Sequence, residues 1–139
     1  MKELLNSVGL LILRVGIGGL MVTQHGWEKL MSFSANSSQF PDPLGVGPVA
    51  SMALIVLAEF FCSAAIVIGL FTRLAAIPLF VGMIVAALMI HGTDPMAKKE
   101  MALLYVIPAL TLIFTGPGKI SADALIFRPK IKKTSDNLR

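Results

Sequence analysis

Charge is scarce in this chain, and so are the residues that build redox and metal centres. Only 14% of its 139 residues are charged, against about 25% in a typical soluble domain. There is one cysteine, Cys62, inside an apolar run. A lone cysteine excludes an internal disulfide and any multi-cysteine zinc or iron–sulfur site. It reads as a small buried apolar residue. No internal repeat is visible, and the length suits one domain rather than two. A dinucleotide fingerprint is also missing. The glycines of "VGIGG" begin a G-x-G-x-x-G pattern, but Met21 takes its last position and no strand precedes it. Nor does the first apolar segment look like a cleavable signal peptide. Its charged start is thin and no Ala-x-Ala-like site follows, so it reads as a retained helix.

What the chain has instead is apolar length. Apolar residues make up 55% and the mean hydropathy is +0.80. A hydrocarbon layer of ~30 Å needs about 20 helical residues at ~1.5 Å each. Four segments answer that need: Leu4 to Gln24, Val49 to Leu70, Leu74 to His91 and Met96 to Thr115. The fourth is apolar only from Met101 to Phe114. It reaches full length if its helix starts above the membrane, with Asp94 as N-cap, Pro95 at the first helical position, and Lys98 and Lys99 snorkelling. Gly92 suits the end of the third helix. Phe71, Thr72 and Arg73 join the second and third spans tightly, with Thr72 as a cap. Pro78 and Pro108 lie inside the third and fourth spans and are expected to kink them.

Short connections make antiparallel neighbours. The expected fold is all-α, an integral-membrane four-helix bundle of up-down topology over residues 1–127, followed by a basic tail at 128–139. Outside the spans, Lys2, Arg73, Lys119, Arg128, Lys130, Lys132, Lys133 and Arg139 fall on one side. Lys29, Lys98 and Lys99 fall on the other. The positive-inside rule then places both termini in the cytoplasm. A basic tail beside apolar spans suits anionic lipid headgroups, not nucleic acid. Before it, "SADALIF" is expected to form a short amphipathic turn, with Ser121 as cap and Ala124, Leu125 and Phe127 against lipid or bundle.

Arg14 stands in the middle of the first span, where a charge costs roughly 2.5 to 3.5 kcal/mol on lenient insertion scales. At about 100° per residue, Ser7, Arg14, Gly18, Met21 and His25 share one stripe. Glu59 is the acidic residue deep in another span. Counted from the inner helix ends, Arg14 lies at ~15 Å and Glu59 at ~18 Å. An Arg14–Glu59 ion pair is therefore expected, with Ser63 or Cys62 beside it. It would serve either as a lock between helices one and two or as a polar floor that binds a ligand head or relays protons. Small residues recur at helical spacing as packing seams: Ala58, Cys62, Ala65 and Gly69 on the second span, Ala75, Gly82 and Ala86 on the third.

His25 and His91 end helices one and three at the outer face, with Trp27, Glu28, Lys29 and Asp94 around them. They read in two ways. As interfacial polar residues they need no further role, Trp27 being an ordinary headgroup-level anchor. As a shallow site open to the outer leaflet, histidine and a carboxylate would exchange protons with a quinone or similar redox head. Haem or another metal on two histidines is disfavoured, because nothing else in the chain adds ligand spacing. No metal is assigned. The connection "MSFSANSSQFPDPLGVGP" is longer than the ~12–15 residues beyond which loops are usually functional or disordered. Phe40, Pro41, Pro43 and Pro48 stiffen its second half. It reads either as a lid over the His25 and His91 end or as a solvated connector.

The pieces "LRVGIGGLMVTQHGWEKL", "FPDPLGVGP", "AEFFCSAAIVIGLFTRLAAIP", "HGTDPMAKKEMALLY" and "TGPGKISADALI", in that order, resemble the DoxX family of small bacterial membrane proteins. The resemblance runs from Leu4 to Phe127. Its most specific parts are the "HG-x-x-KL" end of helix one, the "TR" turn and "GPGK-x-S-x-D". It implies a four-helix inner-membrane protein. The similar DoxD-type subunit belongs to thiosulfate:quinone oxidoreductases, and other relatives are described in membrane oxidoreductase or oxidative-stress complexes. The implied role is a membrane subunit of a quinone-linked oxidoreductase or redox-stress complex, with quinone as candidate cofactor. The implied partner is an oxidoreductase subunit; beside it the candidates are the lipid bilayer and a second copy of the chain. No catalytic residue carries over. Two other functions compete: a non-enzymatic scaffold or assembly factor, and a small-solute or proton transporter. Transport would need an oligomer, since four helices leave little room for a pathway.

Overall fold

The computed structural model describes residues 1–127, so the basic tail at 128–139 lies outside the described residues. Every regular element among the described residues is helical. Helix α1 spans Lys2–Met31, α2 Pro48–Ile68 and α3 Thr72–Ile90. Helix α4 spans Met96–Thr115 and α5 Ala122–Phe127. The first three are 30, 21 and 19 residues long, and each is long and apolar enough to cross a membrane. Helix α4 has 20 residues, but Lys98, Lys99 and Glu100 occupy its first turns.

Around a mainly apolar core, burial departs from that of a soluble protein in two ways. Ser7, Arg14, Glu59, Ser63 and Thr72 are buried, while Ile12, Ile107 and Phe114 are 68%, 65% and 74% exposed. Outward apolar faces and an inward polar stripe suit a hydrocarbon surround, where each buried polar group must find a protein partner. This is a membrane protein. The stripe read from the sequence holds, because the buried residues of α1 include Ser7, Arg14, Gly18 and Met21.

Helix α1 packs along α2, α2 along α3, and α3 most extensively along α4. Small residues let the α1 and α2 backbones meet. A side chain at Gly18 would lie 2.9 Å from the Ser63 carbonyl oxygen, and one at Gly26 would lie 2.7 Å from that of Glu59. These contacts fix the register of the two helices. They also define two ends of the molecule. The proximal end holds the start of α1, the α2–α3 turn and α5. The distal end holds the α1–α2 and α3–α4 connections.

Toward the distal end, α1, α2 and α3 each contain a widened π-type turn: Val22–Gly26, Leu57–Cys62 and Ala86–Ile90. The Trp27 N–H bonds Val22 O, and the His91 N–H bonds Ala86 O, each five residues back. Such turns insert a residue, rephase the side chains beyond them, and concentrate at functional sites. In α1 the turn lets the helix continue to Met31, past the expected end at Gln24.

Two expected caps are corrected by the structure. Thr72 does not cap α3; its hydroxyl oxygen is buried without a partner. Asp123 caps that helix from 51 residues away, accepting the Phe71 N–H at 2.6 Å and the Thr72 N–H at 3.0 Å. This carboxylate also holds Phe71 in the left-handed region, at φ 45°, which a bulky residue rarely adopts. Asp94 does not cap α4, which begins at Met96, because its carboxylate is bound to His91. The expected Ser121 cap is present: its Oγ accepts the Ala124 N–H at 3.1 Å. Leu125 and Phe127 face outward, 86% and 58% exposed.

Candidate functional site

The proximal end is built around Arg14, which is fully buried. Its Nη1 donates to the carbonyls of Ile66 and Val67 at 3.3 and 3.2 Å, and its Nη2 donates to Ile120 O. The expected Arg14–Glu59 ion pair does not form. Register is the reason. With Gly18 against Ser63 and Gly26 against Glu59, the part of α2 opposite Arg14 is its C-terminal turn. Glu59 lies seven residues before Ile66, ~10 Å farther along α2. A helix C-terminus carries unpaired carbonyls and a negative dipole end, so a guanidinium is well matched there.

The α2 terminus is closed by a Schellman motif. Leu70 N–H bonds Ala65 O, and Gly69 N–H bonds Ile66 O. Gly69 sits at φ 74°, and a Cβ there would run into Arg14 Nη1 and approach Ser121 Cβ to 2.6 Å. The segment 116–121 covers the part of α1 that overhangs α2. Lys119 N–H donates to Ser7 Oγ at 3.1 Å, Lys119 pairs with Glu3, and Arg73 donates to Phe114 O at 3.2 Å. The "TR" and "GPGK-x-S-x-D" pieces thus converge on Arg14 and the α2–α3 turn.

The distal end is organised differently. A cavity of about 560 Å³ opens there, with His25, Lys29, Glu59, His91, Lys98 and Tyr105 among its lining residues. Both expected histidines therefore border one space. Its walls are otherwise apolar, including Ile55, Val81, Met83 and Ile90. The long connection does fold over this end, contributing Phe40, Pro41, Pro43 and Leu44 to the lining. Asp42 pins it: the carboxylate accepts N–H bonds from Val46 and Gly47 at 3.0 and 2.8 Å and the Ser51 hydroxyl at 2.7 Å. The Ser51 bond, chiefly, holds the Asp42 carboxyl below its ordinary value; desolvation opposes it and the amide bonds add to it.

Glu59 meets Lys29 here at 2.5 Å, with side chains 5% and 27% exposed. Lys29 is the partner that the sequence reading missed. Carrying the α1 stripe one turn past His25 reaches it, but only if the helix continues through "HGWEK". His25 packs edge-on against Tyr105, ring centroids 5.7 Å apart, and its Nδ1 is buried without a hydrogen-bond partner. His91 Nδ1 lies 2.8 Å from an Asp94 carboxylate oxygen, and Lys98 is 4.0 Å from the same atom. The bond to His91 holds the Asp94 carboxyl below its ordinary value. If His91 carries its proton on Nδ1, its Nε2 is left as an acceptor.

Trp27 and Glu28 are exposed and are not among the cavity lining residues. The Trp27 ring packs at 6.1 Å on Phe60. Arg14 is likewise absent from the cavity. Among the described residues, no group of three or more His, Cys, Asp or Glu side chains is arranged to hold a metal ion. The cavity can instead hold an apolar body with a polar head. Lys29, Lys98 and Tyr105 offer donors, Glu59 offers acceptors, and the two imidazoles offer either.

Comparison with known proteins agrees with this architecture. The DoxX family model matches residues 9–92. The chain is 29% identical over 130 residues to "Inner membrane protein YqjF" of Escherichia coli (strain K12), covering 91% of this chain and 97% of that protein. No solved structure gives a significant match. The matched stretch takes in Arg14, the Gly26–Glu59 contact, the α2–α3 turn and both histidines, and on it the chain belongs to the DoxX family.

Proposed function

We propose that the distal cavity binds a quinone-like ligand, and that the protein is the membrane subunit of a quinone-linked oxidoreductase or redox-stress complex. The carrying observation is the cavity itself, an apolar chamber of about 560 Å³ with His25, Lys29, Glu59, His91 and Tyr105 on its lining. Ligand sites are mostly apolar, with a few convergent polar groups that fix orientation. The orphaned His25 Nδ1 is a second support, because a buried polar atom without a partner invites a ligand group. A bound quinone would supply reversible two-electron redox chemistry at its ring. The chain's own part is to orient that ring and exclude water. His91, clamped by Asp94, accepts or returns a proton at Nε2. Lys29 and Glu59 set the charge of the chamber floor.

In this proposal the chain lies in the bacterial inner membrane with four spans. Helix α4 completes the bundle, and both termini are cytoplasmic. The lysine and arginine distribution supports that orientation, and the name of the Escherichia coli relative supports the location. The distal cavity then opens toward the outer leaflet. A reporter fused to the C-terminus tests orientation, with cytoplasmic activity expected. Gentle purification with mass spectrometry tests the ligand: quinone is expected with the parent protein and not with His25→Ala. A parent preparation free of quinone, carrying a stoichiometric protein partner instead, would favour the scaffold reading.

A further inference from the structure

The distal cavity does not end where its polar lining ends. A second, shallower apolar space of about 320 Å³ lies farther along the same two helices, bordered by Phe61, Cys62, Ala65, Leu74 and Pro78. Pro78 lines both spaces. The residues that line them lie in register. Leu74, Pro78 and Val81 fall within about 60° of one another on the regular α-helical part of α3, at about 100° per residue. The two spaces are thus successive stretches of one groove between α2 and α3. From Leu74 to Ile90 it follows α3 over sixteen residue-to-residue steps, ~24 Å at ~1.5 Å each. That is close to the ~30 Å hydrocarbon thickness.

We infer that this groove is a binding track for a long apolar tail, continuous with the chamber that holds the polar head. The inference rests on the proposed quinone-like ligand and narrows its class to a lipid-resident quinone with a long isoprenoid chain. Continuity through Pro78 commits the groove to that occupant. A tail leaving the chamber has an apolar channel already formed, with no polar side chain among its second-stretch residues. Access is lateral. Phe61 and Leu74 are 54% and 67% exposed, so the tail slides in from lipid and the bundle need not open. All the polar lining residues lie in the first stretch and none in the second, which fixes the direction: head at the distal end, tail toward the proximal end.

The test uses the full chain in phosphatidylcholine nanodiscs and two probes, a benzoquinone without a tail and the same ring with a long isoprenoid tail. Ala65→Trp fills the second stretch. Leu74→Trp obstructs the same stretch from an exposed position whose change leaves the core intact. Each variant is compared with the parent in the same bilayer, so membrane partitioning cancels. The expected result is a roughly tenfold weaker affinity for the tailed probe, a difference of ~1.4 kcal/mol, with the tailless probe unchanged. Equal binding of the tailed probe by the parent and by Leu74→Trp would overturn the track and leave the quinone site standing. Failure of both probes to bind the parent would overturn the track together with the proposed function.

Discussion

The two ends of this molecule use similar residues for opposite purposes. At the proximal end a buried cation, Arg14, meets carbonyls from α2 and from the segment before α5, and Gly69 leaves no room for even a methyl group beside it. At the distal end a cation on the same helix, Lys29, meets a carboxylate at 2.5 Å, and a chamber of about 560 Å³ remains around the pair. The first arrangement is closed: its carbonyls hold both terminal nitrogens of the guanidinium, although Arg14 Nε and the Thr72 hydroxyl keep no partner. The second keeps spare hydrogen-bonding capacity in His25 and His91. A buried charge in a membrane protein therefore does not by itself mark a site. Unpartnered polar atoms occur at both ends, so what distinguishes structure from chemistry here is whether open space surrounds them.

Substitutions can break or sharpen that contrast. The largest effect is expected for Arg14→Leu. It removes charged donors from three carbonyls, each such bond being worth about 1.5–3 kcal/mol, and it relieves the cost of a charge in the bilayer. The expected net loss is on the order of 3 kcal/mol, read as a lower unfolding midpoint in detergent, while ligand binding at the distal chamber persists in the folded fraction. A variant that melts with the parent would show that the guanidinium does not close the proximal end.

A smaller loss is expected for Lys29→Met, about 2 kcal/mol, because Glu59 is left buried and unpaired but Lys29 itself keeps some contact with solvent. Adding Glu59→Met should recover most of that loss, since replacing a whole buried pair by apolar residues is often neutral or stabilising. A double-mutant cycle reads this directly, and additive losses would mean that the pair does not act as a unit.

The smallest effect concerns the loop. Asp42 has a lowered carboxyl value in the folded protein, so its contribution to stability is complete above the unfolded value near ~4 and is lost as pH falls through the folded one. Amide exchange at Val46 and Gly47 should speed up as pH drops through that range, once corrected for the intrinsic rate. Asp42→Asn should show faster exchange already at neutral pH and little further response. Protection that ignores both changes would mean that Asp42 does not pin the loop.

Much of the fold was readable from the sequence because the signals are local. Apolar length marked the helices, and the stripe of Ser7, Arg14, Gly18 and Met21 marked the buried face of α1. Antiparallel order alone placed His25 and His91 at one end, but whether they share a space, and whether the proline loop is a lid or a connector, stayed open until the structure put all three on one cavity. What failed was register and long-range capping. Depth counted from helix ends assumed that α1 and α2 begin at one level, whereas α1 overhangs, and this moved Arg14 from Glu59 to the end of α2. Lys29 was hidden by a widened turn that no periodicity rule anticipates, since it carries the helix through "HGW". Asp123 was hidden by distance: capping rules look a few residues ahead, and this cap acts across 51 residues.

The order of synthesis gives the Arg14 contacts one more meaning. Its acceptor at Ile120 lies 106 residues downstream, so at ~5–20 residues per second the ribosome delivers it roughly 5–20 s later. Until then the guanidinium has only the carbonyls of α2 to satisfy it, and a nascent chain halted before Gly116 leaves Nη2 without its acceptor. Closure of this end therefore waits for the segment that follows α4, and a copy truncated ahead of it lacks one acceptor of the guanidinium.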